Sequence, residues 1–297
     1  MTQRGNTGLP RVPDGGTARP RSGGGRDAAL SVQEFTAVRG VGFEPVGQVL
    51  GAAVFAIGDT GLGGCPGAWT ATDGVKTPSS AWTASASPLQ RTLYTGRRLA
   101  LSRAVAQCRA LGGDGIVGVD LRVEDFGART TEYTTPTVQF TVLGTAVRAR
   151  SRIRPREPFT SHLRGQDFAR LVHSGWIPTA LAFGIAIDTR HDDWRASRRT
   201  RWATGNQEVD GYTQLVGQVR RKARENLADD AARHGGDGVV VDDIGLRMRE
   251  NECPSFGNVR DLVAEAAFVG TAVARFGRSE RPAGHGPLTI MRLEREH

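Results

Sequence analysis

Two stretches of the chain nearly repeat one another: Gly113-Asp114-Gly115-Ile116-Val117 and Gly236-Asp237-Gly238-Val239-Val240. Each follows a helix-like run and opens a valine-rich strand, so the fold of one half constrains the fold of the other. Further matches fall in the same order. Glu34-Phe35 through Gly42-Phe43-Glu44-Pro45 to Gly51 corresponds, without a gap, to Asp167-Phe168 through Gly175-Trp176-Ile177-Pro178 to Gly184. Tyr94-Thr95 pairs with Tyr212-Thr213, and Val142-Leu143-Gly144-Thr145-Ala146-Val147 with Phe268-Val269-Gly270-Thr271-Ala272-Val273. An ordered series of this kind reads as a tandem duplication.

Within the first copy, Ser31 is placed to cap a helix, with Glu34 reaching back and Leu30 packing on Phe35. Pro45 to Ile57 is small and apolar, as expected of a strand buried on both faces, and Gly47 and Gly51 mark close packing against another backbone. Tyr94, Leu101, Val105 and Cys108 share a helical face, which assigns Cys108 to the core. After Gly115, the alternation of Val117, Val119, Leu121 and Val123 sets Asp120, Arg122 and Glu124 on the other face. Val138, Phe140 and Val142 repeat it.

Each copy therefore reads as helix, strand, helix, strand, strand, an α+β unit whose antiparallel sheet is covered by a helix. The boundaries expected are a disordered Gly/Pro/Arg-rich tail at 1–29, a first copy at 30–150 with an insert at 58–88, a charged linker at 151–157, a second copy at 158–276 and a disordered tail at 277–297. The helix of the first copy reads as the shorter one. The turn residues Gly113, Asp114, Gly115, Gly236, Asp237 and Gly238 read as structural.

A net charge of +8 and a pI near 10.3 raise nucleic-acid binding. Lysine occurs only at 76 and 222, and the arginines gather in tails, the linker and the Arg195 to Arg201 loop without interleaved aromatics. That pattern argues against base stacking and leaves nucleic acid disfavoured as a partner. Cys65, Cys108 and Cys253 are odd in number and lack a Cys-x-x-Cys pair, so a disulfide framework is not expected. No apolar run matches a signal peptide or a membrane span, and a cytoplasmic location with no membrane partner is the expectation. Gly58 to Gly64 has the glycines of a phosphate loop, yet Pro66 follows where a helix should start. With no Ser/His/Asp set in view, the chain reads as a non-enzyme.

The Gly-Asp-Gly-Val-Val turn, the helix before it and the Val-Gly-Thr-Ala-Val strand resemble the YbjQ-like domain, a small bacterial family named for heavy-metal binding. The resemblance covers about 30–150 and 157–276. It implies two tandem dodecin/YbjQ-like domains, ring-like homo-oligomers that are typically five-fold, and no enzyme activity. Two unequal copies leave a ring, a stack of rings and an intramolecular pseudo-dimer all open.

Metal chemistry needs converging ligands. His191, Asp193, His234 and Cys253 in the second copy are of types that suit a divalent transition metal. Asp242 stands where the first copy has Val119, which puts a carboxylate on the nominally buried face unless a bulge near Gly245 turns it outward. The first functional reading is accordingly a heavy-metal or small-ligand binding protein. The second is a structural, self-assembling scaffold whose Arg-rich tails recruit an acidic partner.

Overall fold

The computed structural model describes residues 30–57, 87–129, 134–152, 154–191, 208–252, 260–276 and 291–292. The 1–29 segment, most of the insert with Gly58 to Gly64, the Arg195 to Arg201 loop and 277–290 lie outside the described residues. The chain is an α+β protein with two sheets.

Helix α1 (Val32–Gly40) begins at a capping box: Ser31 Oγ accepts the Glu34 N–H, and the Glu34 carboxylate accepts the Ser31 N–H at 2.8 Å. Leu30 packs into the core, whereas Phe35, expected to meet it, is exposed with Arg39 over its ring. Strand β1 (Phe43–Ala56), helix α2 (Ser87–Ala110), and strands β2 (Gly115–Arg129) and β3 (Thr134–Ala149) follow. Both β1 and β2 pair with β3 antiparallel, and short β4 (Phe159–Thr160) adds to β2 in parallel, giving the order β1-β3-β2-β4.

Helix α3 (Gly165–His173), β5 (Trp176–His191), helix α4 (Asp210–Arg233), β6 (Gly238–Glu252), β7 (Arg260–Arg275) and β8 (Met291–Arg292) complete the chain. The second sheet runs β5-β7-β6-β8, the same order of its long strands as the first.

Three expectations are corrected here. Helices α2 and α4 are both 24 residues long and end at the same distance from their Gly-Asp-Gly turns. Equal ends fix the correspondence by helix position, so Leu89 rather than Tyr94 matches Tyr212, and Tyr94 matches Gly217. Strand β1 is an edge strand with one buried face: Val49 and Ala53 point at α2, while Leu50 and Val54 are exposed. Gly51 does mark a close approach, since a Cβ there would lie 1.9 Å from the Ala100 carbonyl oxygen. Gly184 meets the Ala223 carbonyl in the same way, at 2.1 Å.

The two halves share their cores. Ala100, Ala104 and Cys108 of α2 bury against the first sheet, and Leu181, Phe183, Ile185 and Ile187 of β5 join that same cluster. The second sheet is thus covered on both faces, because Leu215, Val219, Ala223 and Leu227 of α4 pack on the other side. Helices α1 and α3 close a third cluster in which Phe43 meets Phe168 edge to face at 5.1 Å.

Candidate functional site

The seam between the halves is where buried polar chemistry concentrates. An edge strand presents unpaired N–H and C=O groups that template further pairing unless they are covered. In the first half, the Leu50 N–H donates to Gln107 Oε1 at 2.8 Å and Arg103 donates to the Ala52 carbonyl. In the second, the Phe183 N–H donates to Asp230 Oδ2 at 2.9 Å and Asn226 Nδ2 to the Ile185 carbonyl at 2.8 Å. Gln107 and Asp230 hold matching positions in α2 and α4, as do Arg103 and Asn226. Each helix therefore blocks its own sheet edge with the same two positions.

At the second edge, α2 contributes as well. Tyr94 Oη accepts the Ile185 N–H at 2.9 Å and faces the Phe183 carbonyl at 3.5 Å. Arg98 Nη2 reaches Asp230 Oδ1 at 2.9 Å, beside Arg233 Nη2 at 2.8 Å. Asp230 is buried, so its carboxylate needs all three donors. Tyr94 is held above its ordinary pKa, chiefly by burial. Arg97 lies buried over the Phe140 ring at 5.7 Å, and burial lowers its pKa to about 10 despite the Glu265 charge facing it from β7.

The segment after β4 stitches the sheets together at the other end of the seam. Its backbone runs with the first sheet, the Ser161 N–H donating to the Ile116 carbonyl at 2.9 Å. Its side chains reach the second: Ser161 Oγ lies 3.2 Å from Thr271 Oγ1, which also takes the His162 N–H at 3.1 Å and sits 2.7 Å from His162 Nδ1. Ser161 and Thr271 are fully buried.

The Gly-Asp-Gly turns close the strand ends. Asp114 Oδ2 accepts the Ala149 N–H at 2.8 Å and a bond from Arg154, and Asp237 Oδ2 accepts the Arg275 N–H at 3.0 Å. Gly115 admits the Phe159 ring, 2.2 Å from where a Cβ would stand. Above the first turn opens a basic pocket of about 460 Å³, lined in part by Arg109, Arg148, Arg154 and Arg156. Three of these are engaged: Arg148 Nε and Nη2 cap the Gly112 and Leu111 carbonyls, Arg154 holds Asp114, and Arg109 lies 3.6 Å from Glu157. Arg154 and Glu157 of the linker thus fasten it to the first half.

The metal-ligand candidates are dispersed. His191 ends β5, its backbone opposite Asp261. Asp193 and Cys253 lie outside the described residues. His234 is the exposed C-cap of α4, with Nδ1 2.8 Å from the Asp230 carbonyl. Asp242 is exposed, because β6 bulges between Val241 and Asp243 and Asp242 is the extra residue. The bulge sits at Asp242 itself and not at Gly245. In β2 the equivalent bulge takes Gly118 at φ +63° and leaves Val119 buried. Among the described residues, no three His, Cys, Asp or Glu side chains come together to hold a metal.

The residues that make the seam were absent from the candidates. Gln107 and Asp230 each stand six places before their Gly-Asp-Gly turn, and that shared spacing was the available signal.

The comparisons with known proteins bear on this fold. The family described as "putative heavy-metal-binding", the YbjQ family, matches residues 76–150, which span α2, β2 and β3. The encapsulin nanocompartment protein Rv1762c of Mycobacterium tuberculosis is 31% identical over 217 residues, 71% of this chain and 74% of that protein. The chain belongs to the family of that nanocompartment protein. This relationship overturns the expectation of a heavy-metal or small-ligand binding protein. The family match to 76–150 also contains none of His191, Asp193, His234, Asp242 or Cys253. No helix among the described residues is long and apolar enough to cross a membrane.

Proposed function

We propose that the chain is a non-enzymatic structural protein that assembles with copies of itself as part of an encapsulin-type nanocompartment. The relationship to the encapsulin nanocompartment protein carries this reading. The chain is built, on this view, from two dodecin/YbjQ-like copies. The recurrence of strand order, of the helix positions that block the sheet edges and of the glycine-helix contacts supports that duplication.

The chemistry of the seam fits a structural role. Asp230, Thr271 and Ser161 are consumed by fixed donors and acceptors, which orders the halves against each other. The net charge of +8 suits recruitment of an acidic partner by the Arg-rich segments, and the protein works in the cytoplasm. Electron microscopy of the purified, negatively stained chain tests the proposal. Discrete closed particles are expected, and a field of dispersed single chains refutes it.

A further inference from the structure

The two halves bury opposite parts of the same repeated surface. In the second half, the sheet face turned away from α4 is covered by the first half: Phe183 and Ile185 are 1% exposed and Ile187 is 6% exposed. The matching face of the first sheet carries Leu50, Ala52 and Val54, and there Leu50 is 48% and Val54 57% exposed. Across the sheet, Leu50 is aligned with Leu143 and Asp120, and Val54 with Gln139 and Glu124.

The receiving side shows the converse asymmetry. In the first half, Leu121 and Val123 of β2 are half-buried against the shared core beside α2. Their counterparts on β6, Ile244 and Leu246, are 54% and 43% exposed, and Met248 follows at 42%. Each half therefore has one side satisfied within the chain and the complementary side open.

We infer that the chain docks head to tail onto a second copy, the Leu50/Val54 face of one seating against the β6 strip and α4 of the next as the second sheet seats against the first half. This rests on the self-assembly proposed above and names its contact surfaces. Charge agrees with the pairing. Arg97, buried at the internal seam opposite Glu265, has exposed Arg220 as its counterpart on α4. The counterpart of Glu265 is Gln139, aligned with Glu124, so Arg220 of one copy meets a carboxylate of the next. Three positions depart from the internal seam: Gly217 replaces the Tyr94 edge contact, Gln107 stands in place of the Asp230 carboxylate that takes Arg98, and Gln139 in place of Glu265. A contact that joins two different surfaces extends to a third copy, closing into a ring or running on as a filament according to the rotation it imposes.

Two full-length variants test this by sedimentation velocity, with urea unfolding as the check that each is folded. Leu50→Glu/Val54→Glu blocks one face and Ile244→Glu/Leu246→Glu the other, all at positions exposed in the single chain. The wild type should sediment as a multi-copy species, each variant alone should lose association at least about tenfold, and an equimolar mixture should give one-to-one dimers through the remaining intact pair. A second readout is the Val54→Cys/Leu246→Cys chain, which should form disulfide-linked multimers under oxidation. If both Glu variants assemble like the wild type and the cysteine chain stays unlinked, the surfaces are wrong while self-assembly stands. If only one Glu variant dissociates, a face pairs with itself and the head-to-tail arrangement is refuted. A monomeric wild type removes the self-assembly reading and this inference together.

Discussion

Asp230 offers the sharpest perturbation because one buried carboxylate serves both halves. Asp230→Ala removes the acceptor of the Phe183 N–H, and an unsatisfied buried donor costs about 1–3 kcal/mol. The side chains of Arg98 and Arg233 are 53% and 60% exposed and recover water, so each adds only about 0–1 kcal/mol. The expected loss is about 2–4 kcal/mol of unfolding free energy, read from urea denaturation followed by far-UV circular dichroism. Asp230→Asn keeps an oxygen for Phe183, the role the neutral amide of Gln107 performs for Leu50, and should lose only about 1 kcal/mol. An Asp230→Ala change of under about 0.5 kcal/mol, or an Asn variant as damaged as the Ala variant, refutes the assignment of Asp230 as an edge cap.

Further outcomes follow from the packing. Gly51→Ala and Gly184→Ala force a methyl into the Ala100 and Ala223 carbonyls and should each destabilise by about 1–3 kcal/mol or more, whereas Gly217→Ala, with nothing within 4 Å, should stabilise α4 by up to about 1 kcal/mol in the same urea assay. Thr271→Val strands the His162 N–H and should lower the urea midpoint by the equivalent of about 1–3 kcal/mol, while Thr271→Ser loses less. Burial, then the nearby Asp114 charge, pushes the Cys108 thiol up from 9.0 to about 11. Since the folded pKa is raised, that contribution to stability is complete below pH 9.0 and drains away as pH rises through about 11. Peptide mass spectrometry after alkylation near pH 8 should find Cys108 unmodified until the chain is unfolded, and prompt labelling of the folded protein contradicts its burial.

The helix, strand, helix, strand, strand order was legible because its signals are local. Ser31 and Glu34 form a cap from residues three apart, and the alternation from Val117 to Val123 fixes faces from neighbours alone. What escaped depends on contacts across the chain. Strand β1 looked buried on both faces because its residues are small and apolar, and only the sheet order makes it an edge. That a bulge turns Asp242 outward was legible, but its place was not: it sits at Asp242, which has no local marker like Gly118, and not near Gly245. Asp230 sits in a run of charged helix residues that reads as solvated, and its role appears only when Phe183 and Arg98 arrive from other elements. The tyrosine correspondence failed because a two-residue identity outweighed helix position.

The central claim is that this chain is made to assemble with itself. Native mass spectrometry of the purified full-length protein at micromolar concentration measures that directly. A discrete species at a multiple of 31.8 kDa is predicted, and a single peak at 31.8 kDa across the concentration range contradicts the account.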